Sequence, residues 1–160
     1  DFGNAFSTFI AQNYGARNEE RIRRGIKSAV GTAFVFCVVI STAVCILARP
    51  LMGLFIQPEE TEIIAIGVGY LRIEASCYFG IGLLFLLYGF YRAVKRPGMS
   101  VVLTVISLGT RVLLSYTLAP IKSIGVIAIW WSIPIGWFLA DVTGYVYLQY
   151  MNKKAKMCRN

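Results

Sequence analysis

The sequence predicts an all-α integral membrane protein: a helical bundle of about four full transmembrane helices plus a truncated one. Three observations carry this. Hydrophobic residues make up 57% of the 160 and charged residues only 15%, against about 25% charged in a soluble domain. A chain this size cannot hide that much apolar surface from water. Long uncharged runs recur, the first between Lys27 and Arg49, and roughly 20 apolar residues suffice to cross about 30 Å of hydrocarbon. Basic residues cluster in the short segments between those runs, as membrane proteins place them to set orientation.

Each element follows in order. Residues 1–16 are uncharged after Asp1. At 1.5 Å per residue they cover only about 20–25 Å, short for a span. They lack the basic start and cleavage site of a signal peptide. The expectation is a partial helix, the chain being the C-terminal part of a larger protein. Residues 17–27 hold Arg17, Arg21, Arg23, Arg24 and Lys27 with Glu19 and Glu20, a charged loop or short interfacial helix. The next span is expected at about 28–55, with Arg49-Pro50 near its end, where proline kinks or ends a helix. An acidic link with Glu59, Glu60 and Glu62 follows. A span over about 63–91 contains Arg72 and Glu74, and its glycines (Gly67, Gly69, Gly80, Gly82) permit close helix contact. It ends in Arg92, Lys95, Arg96 and Pro97. The last two spans are expected at about 99–119, with Arg111 inside, and 124–151, with Trp130, Trp131, Pro134, Trp137 and Asp141. Pro120 and Lys122 lie in the link between them, and Lys153, Lys154, Lys156 and Arg159 form a basic tail.

The charges fix an expected orientation. Residues 17–27 carry five Lys/Arg, 92–96 three and the tail four. Alternating spans put these three segments on one side. The opposite links hold three Glu and Lys122, with Arg49 just inside a helix end. The positive-inside rule then makes the basic side, and the C-terminus, cytoplasmic. The net charge of +8 therefore marks topology. No basic face with interleaved aromatics suggests nucleic acid.

The chemistry-bearing residues are few. Histidine is absent, which removes the commonest metal ligand and general base. Cys37, Cys45 and Cys77 lie in apolar runs, Cys158 lies in the tail, and none forms a CxxC pair, so they read as small buried side chains. No catalytic set, metal site or cofactor is expected. Four charges fall inside spans: Arg72, Glu74, Arg111 and Asp141. Such groups cost a few kcal/mol or more unless paired or hydrated, so they face the bundle interior or a watery cavity. Counted from the outer helix ends, Arg72 and Glu74 lie roughly 15–18 Å deep, Arg111 about 13 Å and Asp141 about 25 Å. Glu74 and Arg111 are expected to pair. That pair reads equally as a structural lock between helices. The functional alternative is that Glu74 or Asp141 takes up and releases a cation. Trp130 and Trp131 lie near the outer end and read first as interfacial anchors; an aromatic site for cations is the alternative. Pro134 offers a kink, with or without use as a hinge.

Several stretches, in order and spacing, resemble the second half of the multidrug and toxic compound extrusion transporters. Ser7-Thr8-Phe9-Ile10-Ala11-Gln12-Asn13-Tyr14-Gly15-Ala16, followed by Arg21 and Gly25, looks like the family's second-half signature. Arg49-Pro50-Leu51, Gly69-Tyr70-Leu71-Arg72-Ile73, Gly89-Phe90-Tyr91-Arg92, Gly109-Thr110-Arg111-Val112 and Trp130-Trp131-Ser132-Ile133-Pro134-Ile135-Gly136-Trp137 follow. The resemblance covers nearly the whole chain. It implies twelve helices in two six-helix lobes, this chain running from the end of helix 8 through helix 12. It also implies a secondary transporter exporting drugs, organic cations or toxic metabolites in exchange for Na⁺ or H⁺, by alternating access.

The implied partners are an amphipathic or cationic small molecule, the lipid bilayer and the missing N-terminal lobe. The implied place is the plasma membrane, here a bacterial cytoplasmic membrane. Many members rely on an acid in the first lobe, outside these residues. Some use an acid in helix 10, where Glu74 stands, several residues earlier. Gln12 and Asn13 match the motif but sit at a helix end, where capping and loop packing account for them. Two alternatives stand beside the exporter. A lipid-linked oligosaccharide flippase would want a strongly basic cavity, whereas Arg72 and Arg111 are countered here by Glu74 and Asp141. A non-transporting membrane subunit is the other. The lobe alone is expected to be inactive.

Overall fold

The computed structural model describes residues 2–121 and 125–157. Asp1, Lys122, Ser123, Ile124, Cys158 and Arg159 fall outside them, as do the side chains of Lys154 and Lys156. The described residues form α1 (Phe2–Gly15), α2 (Glu19–Gly53), α3 (Thr61–Ser76), α4 (Tyr78–Ala93), α5 (Pro97–Leu118) and α6 (Gly125–Met157). α2, α5 and α6 are each long and apolar enough to cross a membrane. α3 and α4 reach that length only together, as a span bent by 48° at its break.

The basic segment after α1 is helical, not a loop. Asn13 and Gln12 close the end of α1 through their carbonyls, which accept from Asn18 N (3.0 Å) and Ala16 N (3.1 Å). Arg17 takes the left-handed conformation (φ 54°) that this helix ending requires. The side chain of Asn18 then caps α2 by accepting from Arg21 N at 3.0 Å. Glu19 and Glu20 fill the first turn, where negative charge suits the helix dipole. α2 runs on through Arg21, Arg23, Arg24 and Lys27 into its apolar stretch without interruption. The turn between α4 and α5 is built the same way. Lys95 has φ 59°, Arg96 N reaches back to Tyr91 O at 2.9 Å, and Pro97 begins α5. Both basic turns thus reverse the chain within a few residues.

The expected span over 63–91 is broken at Cys77, with neither proline nor glycine there. α2 supplies what the break lacks. The Ser41 hydroxyl donates to Ala75 O at 2.5 Å, and the Cys37 thiol donates to Tyr78 O at 3.5 Å. In hydrocarbon a free carbonyl is expensive, so a broken helix persists only where neighbours satisfy it.

Small residues then let the helices close. A Cβ on Gly82 would stand 2.8 Å from Cys37 Sγ, and one on Gly136 would stand 2.5 Å from Ser107 O, fixing α2 on α4 and α5 on α6. Ser115 and Ser132 hydroxyls meet at 3.2 Å across the α5–α6 contact. α6 is continuous through Pro134. Phe6, Ile10, Leu84, Tyr91, Leu103 and Ala140 belong to the core built around α4, which contacts α1, α5 and α6. Val35, Val39 and Ile46 of α2, and Val105 and Leu113 of α5, point outward, as a bundle solvated by lipid allows.

The basic segments make three contacts with neighbouring helices. Arg21 lies over the Phe9 ring, Arg92 donates to Asn4 Oδ1 (3.4 Å), and Arg96 donates to the Tyr147 hydroxyl (2.7 Å).

Candidate functional site

One face of α6 follows the broken span from end to end. Trp130, Trp137, Asp141 and Gly144 recur at helical spacing along it. Trp130 packs on α3, its ring 6.1 Å from that of Tyr70 and its edge 3.5 Å from where a Cβ on Gly69 would stand. Past the break, Trp137 and Asp141 lie against Gly80 of α4. Beyond them the buried Tyr91 hydroxyl donates to Gly144 O at 2.6 Å. The seam between α6 and the broken span is therefore aromatic at one end, hydrogen-bonded at the other, and carries acidic groups near its middle.

Both acidic groups predicted inside the membrane are buried. Glu74, in the last turn of α3, is 6% exposed, and its Oε1 has no hydrogen-bond partner among the described residues. Asp141 is 8% exposed, and its Oδ1 likewise has none. Its Oδ2 stands 3.8 Å from where a Cβ on Gly80 would be. Gly80 lies six residues past Glu74, which puts Asp141 about 9 Å nearer the basic end. A carboxyl group so placed wants a proton, a cation or a donor. Among the described residues no three of His, Cys, Asp and Glu gather as metal ligands would.

The two arginines are elsewhere. Arg72 and Arg111 are both exposed on the bundle surface. No ion pair closes between Arg111 and Glu74. The reason is topological: α3 and α5 do not pack on each other, and α6 contacts both. The broken span meets α5 through α4, whereas Glu74 stands on α3. Gln12 is exposed, while Asn13 is buried and donates from Nδ2 to Phe9 O at 2.7 Å. Both belong to the turn that ends α1. Trp131 faces outward, 47% exposed, and Trp130 faces the seam.

The sequence reading took Cys37 for a small buried side chain and passed over Ser41, so the bonds that both make at the break escaped it. Their only signal was a small polar side chain within an apolar run, which many helices carry without consequence. Beside them an apolar cavity of about 630 Å³ opens between α1, α2 and α4, lined by Phe36, Cys37, Ile40, Tyr78, Ile81 and Phe85 among others. Neither carboxyl group lines it.

The family model MatE matches residues 2–117. No curated protein matches. Among solved structures, the chain is similar to a multidrug resistance MATE family transporter of the MOP superfamily in an inward-facing conformation, with a TM-score of 0.86 and 19% identity. The match covers 97% of this chain and 36% of that one. At that identity it establishes the shared fold. A family model matched over residues 2–117, on a bundle with this fold, places the chain in the multidrug and toxic compound extrusion family.

Proposed function

We propose that this chain is part of the second lobe of a secondary active transporter that exports amphipathic or cationic compounds in exchange for Na⁺ or H⁺. The basic end faces the cytoplasm and the other lobe completes the transport path. The observation that carries the reading is Glu74: a buried carboxyl group with an unpartnered oxygen, one turn before the break in a membrane span. A broken span gives the lobe a place to bend, and a carboxyl group beside it can bind the exchanged ion in one arrangement and release it in another. Family membership supports the same class, as does the solved neighbour, which is described as a multidrug resistance transporter. Asp141 is the second coupling residue of the reading, buried on the helix that packs against the break.

The test uses the full-length protein in proteoliposomes. Ethidium efflux is followed under an imposed Na⁺ or H⁺ gradient, with Glu74→Gln and Asp141→Asn beside wild type. Gradient-driven efflux by wild type, lost in Glu74→Gln with the fold intact, is the expected result. Efflux unchanged in both variants moves coupling out of this lobe. No gradient-driven efflux by wild type removes the exporter reading and makes a lipid-linked substrate the next to try.

A further inference from the structure

We propose that the groove between α1 and α2 holds an anionic phospholipid, its phosphate between Arg21 and Arg24 and an acyl chain along Phe9, Phe6 and Phe2. The groove has a volume of about 430 Å³ and takes its walls from both helices. On α2 the wall runs from Arg21 and Arg24 through Ser28 to Thr32; on α1 it runs from Phe9 to Phe2. Both sets recur at helical spacing. The groove is therefore graded from cationic to apolar along its axis. Arg21 to Thr32 is eleven residues, about 16 Å, close to half of the roughly 30 Å hydrocarbon thickness. That is the depth of one leaflet.

Two details favour a lipid over any other occupant. The first is the floor. Gly25 has no side chain, and a Cβ there would overlap the Phe9 ring, so the ring sinks between the helices and leaves an apolar channel above it. The second is the state of the arginines. Arg21 rests over the Phe9 ring at 5.8 Å and has no carboxylate partner among the described residues. Arg24 is paired with Glu20, but the two side chains are 78% and 75% exposed, so the pair is weak and yields readily to a phosphate. α4 runs parallel to α1, with Phe85 against Gly3 and Gly89 against Phe6 and Ser7, so the turn that carries Lys95 and Arg96 lies at the arginines' end of the bundle. In the orientation proposed above this end meets the cytoplasmic leaflet, where anionic lipids attract basic residues.

The experiment is lipid binding to the full-length protein in detergent by native mass spectrometry, with phosphatidylglycerol and phosphatidylcholine as probes. Wild type is expected to prefer phosphatidylglycerol, by about fivefold for each arginine engaged. The Arg21→Gln/Arg24→Gln double variant should lose that preference. Arg23→Gln, on α2 outside the groove, should keep it. Thr32→Trp fills the apolar end without touching the charges and should weaken phosphatidylglycerol binding as well. Thermal unfolding of each variant checks that the fold persists. The proposal is overturned by equal binding of the two lipids, by a preference that survives the double variant, or by a Thr32→Trp variant that binds as wild type does. It is also overturned if glycerol phosphate competes as well as the whole lipid, because the site would then recognise a small anion.

Discussion

The hydroxyl of Ser41 on α2 donates a 2.5 Å hydrogen bond to the carbonyl of Ala75, two residues before the point where the third span breaks. That bond and the Cys37–Tyr78 contact replace part of what the helix gives up at Cys77. Ser41→Ala removes the donor and leaves a buried carbonyl. The expected loss is about 0.5–1.5 kcal/mol, read as a lower unfolding temperature of the full-length protein in detergent. Ser41→Thr keeps the hydroxyl and should keep most of the stability. Equal unfolding of Ser41→Ala and wild type would mean the break does not depend on α2.

Gly136 and Gly109 make a matched pair. A Cβ on Gly136 would stand 2.5 Å from the backbone oxygen of Ser107, whereas one on Gly109 would meet nothing within 4 Å. Backbone cannot move aside as a flexible side chain can. Gly136→Ala should cost about 1–3 kcal/mol by forcing α5 and α6 apart, and Gly109→Ala should cost nothing measurable. Thermal unfolding of the two variants side by side decides it.

Tyr91 is fully buried, and its hydroxyl reaches Gly144 O at 2.6 Å, tying α4 to α6. Tyr91→Phe keeps the ring and deletes that bond. A loss of about 0.5–1.5 kcal/mol is expected. Tyr91→Leu should cost more, because the ring also packs edge-on against Phe90 and beside Tyr147.

Glu74 and Arg111 sit on helices that do not pack together and form no ion pair. A double-mutant cycle with Glu74→Gln and Arg111→Gln should therefore give a coupling energy below about 1 kcal/mol. A coupling near the 3–5 kcal/mol that breaking a buried pair costs would show that the two do meet in the full-length protein.

Much of this molecule is legible in its sequence, for a plain reason. Hydrocarbon is an unforgiving solvent for charge and for free backbone groups, so apolar runs must be helices and charges must collect at their ends. The all-α membrane class and the apolar stretches that became α2, α5 and α6 follow from composition and spacing. So does the burial of Glu74 and Asp141, because the membrane penalises them on any outward face.

Only the tertiary structure decided which helices meet. Glu74 and Arg111 come from consecutive apolar stretches, yet α6 contacts both of their helices while those two do not pack on each other. The break at Cys77 was equally hidden, because its local sequence has no residue that forbids a helix. Nor could spacing show that Asp141 rests against Gly80, or that Phe9 settles over Gly25. Period and hydropathy specify each helix against the solvent around it, one segment at a time. Partners are chosen by shape, by where a missing side chain lets two backbones approach, and by which hydroxyl or thiol can reach a carbonyl that the chain has left open.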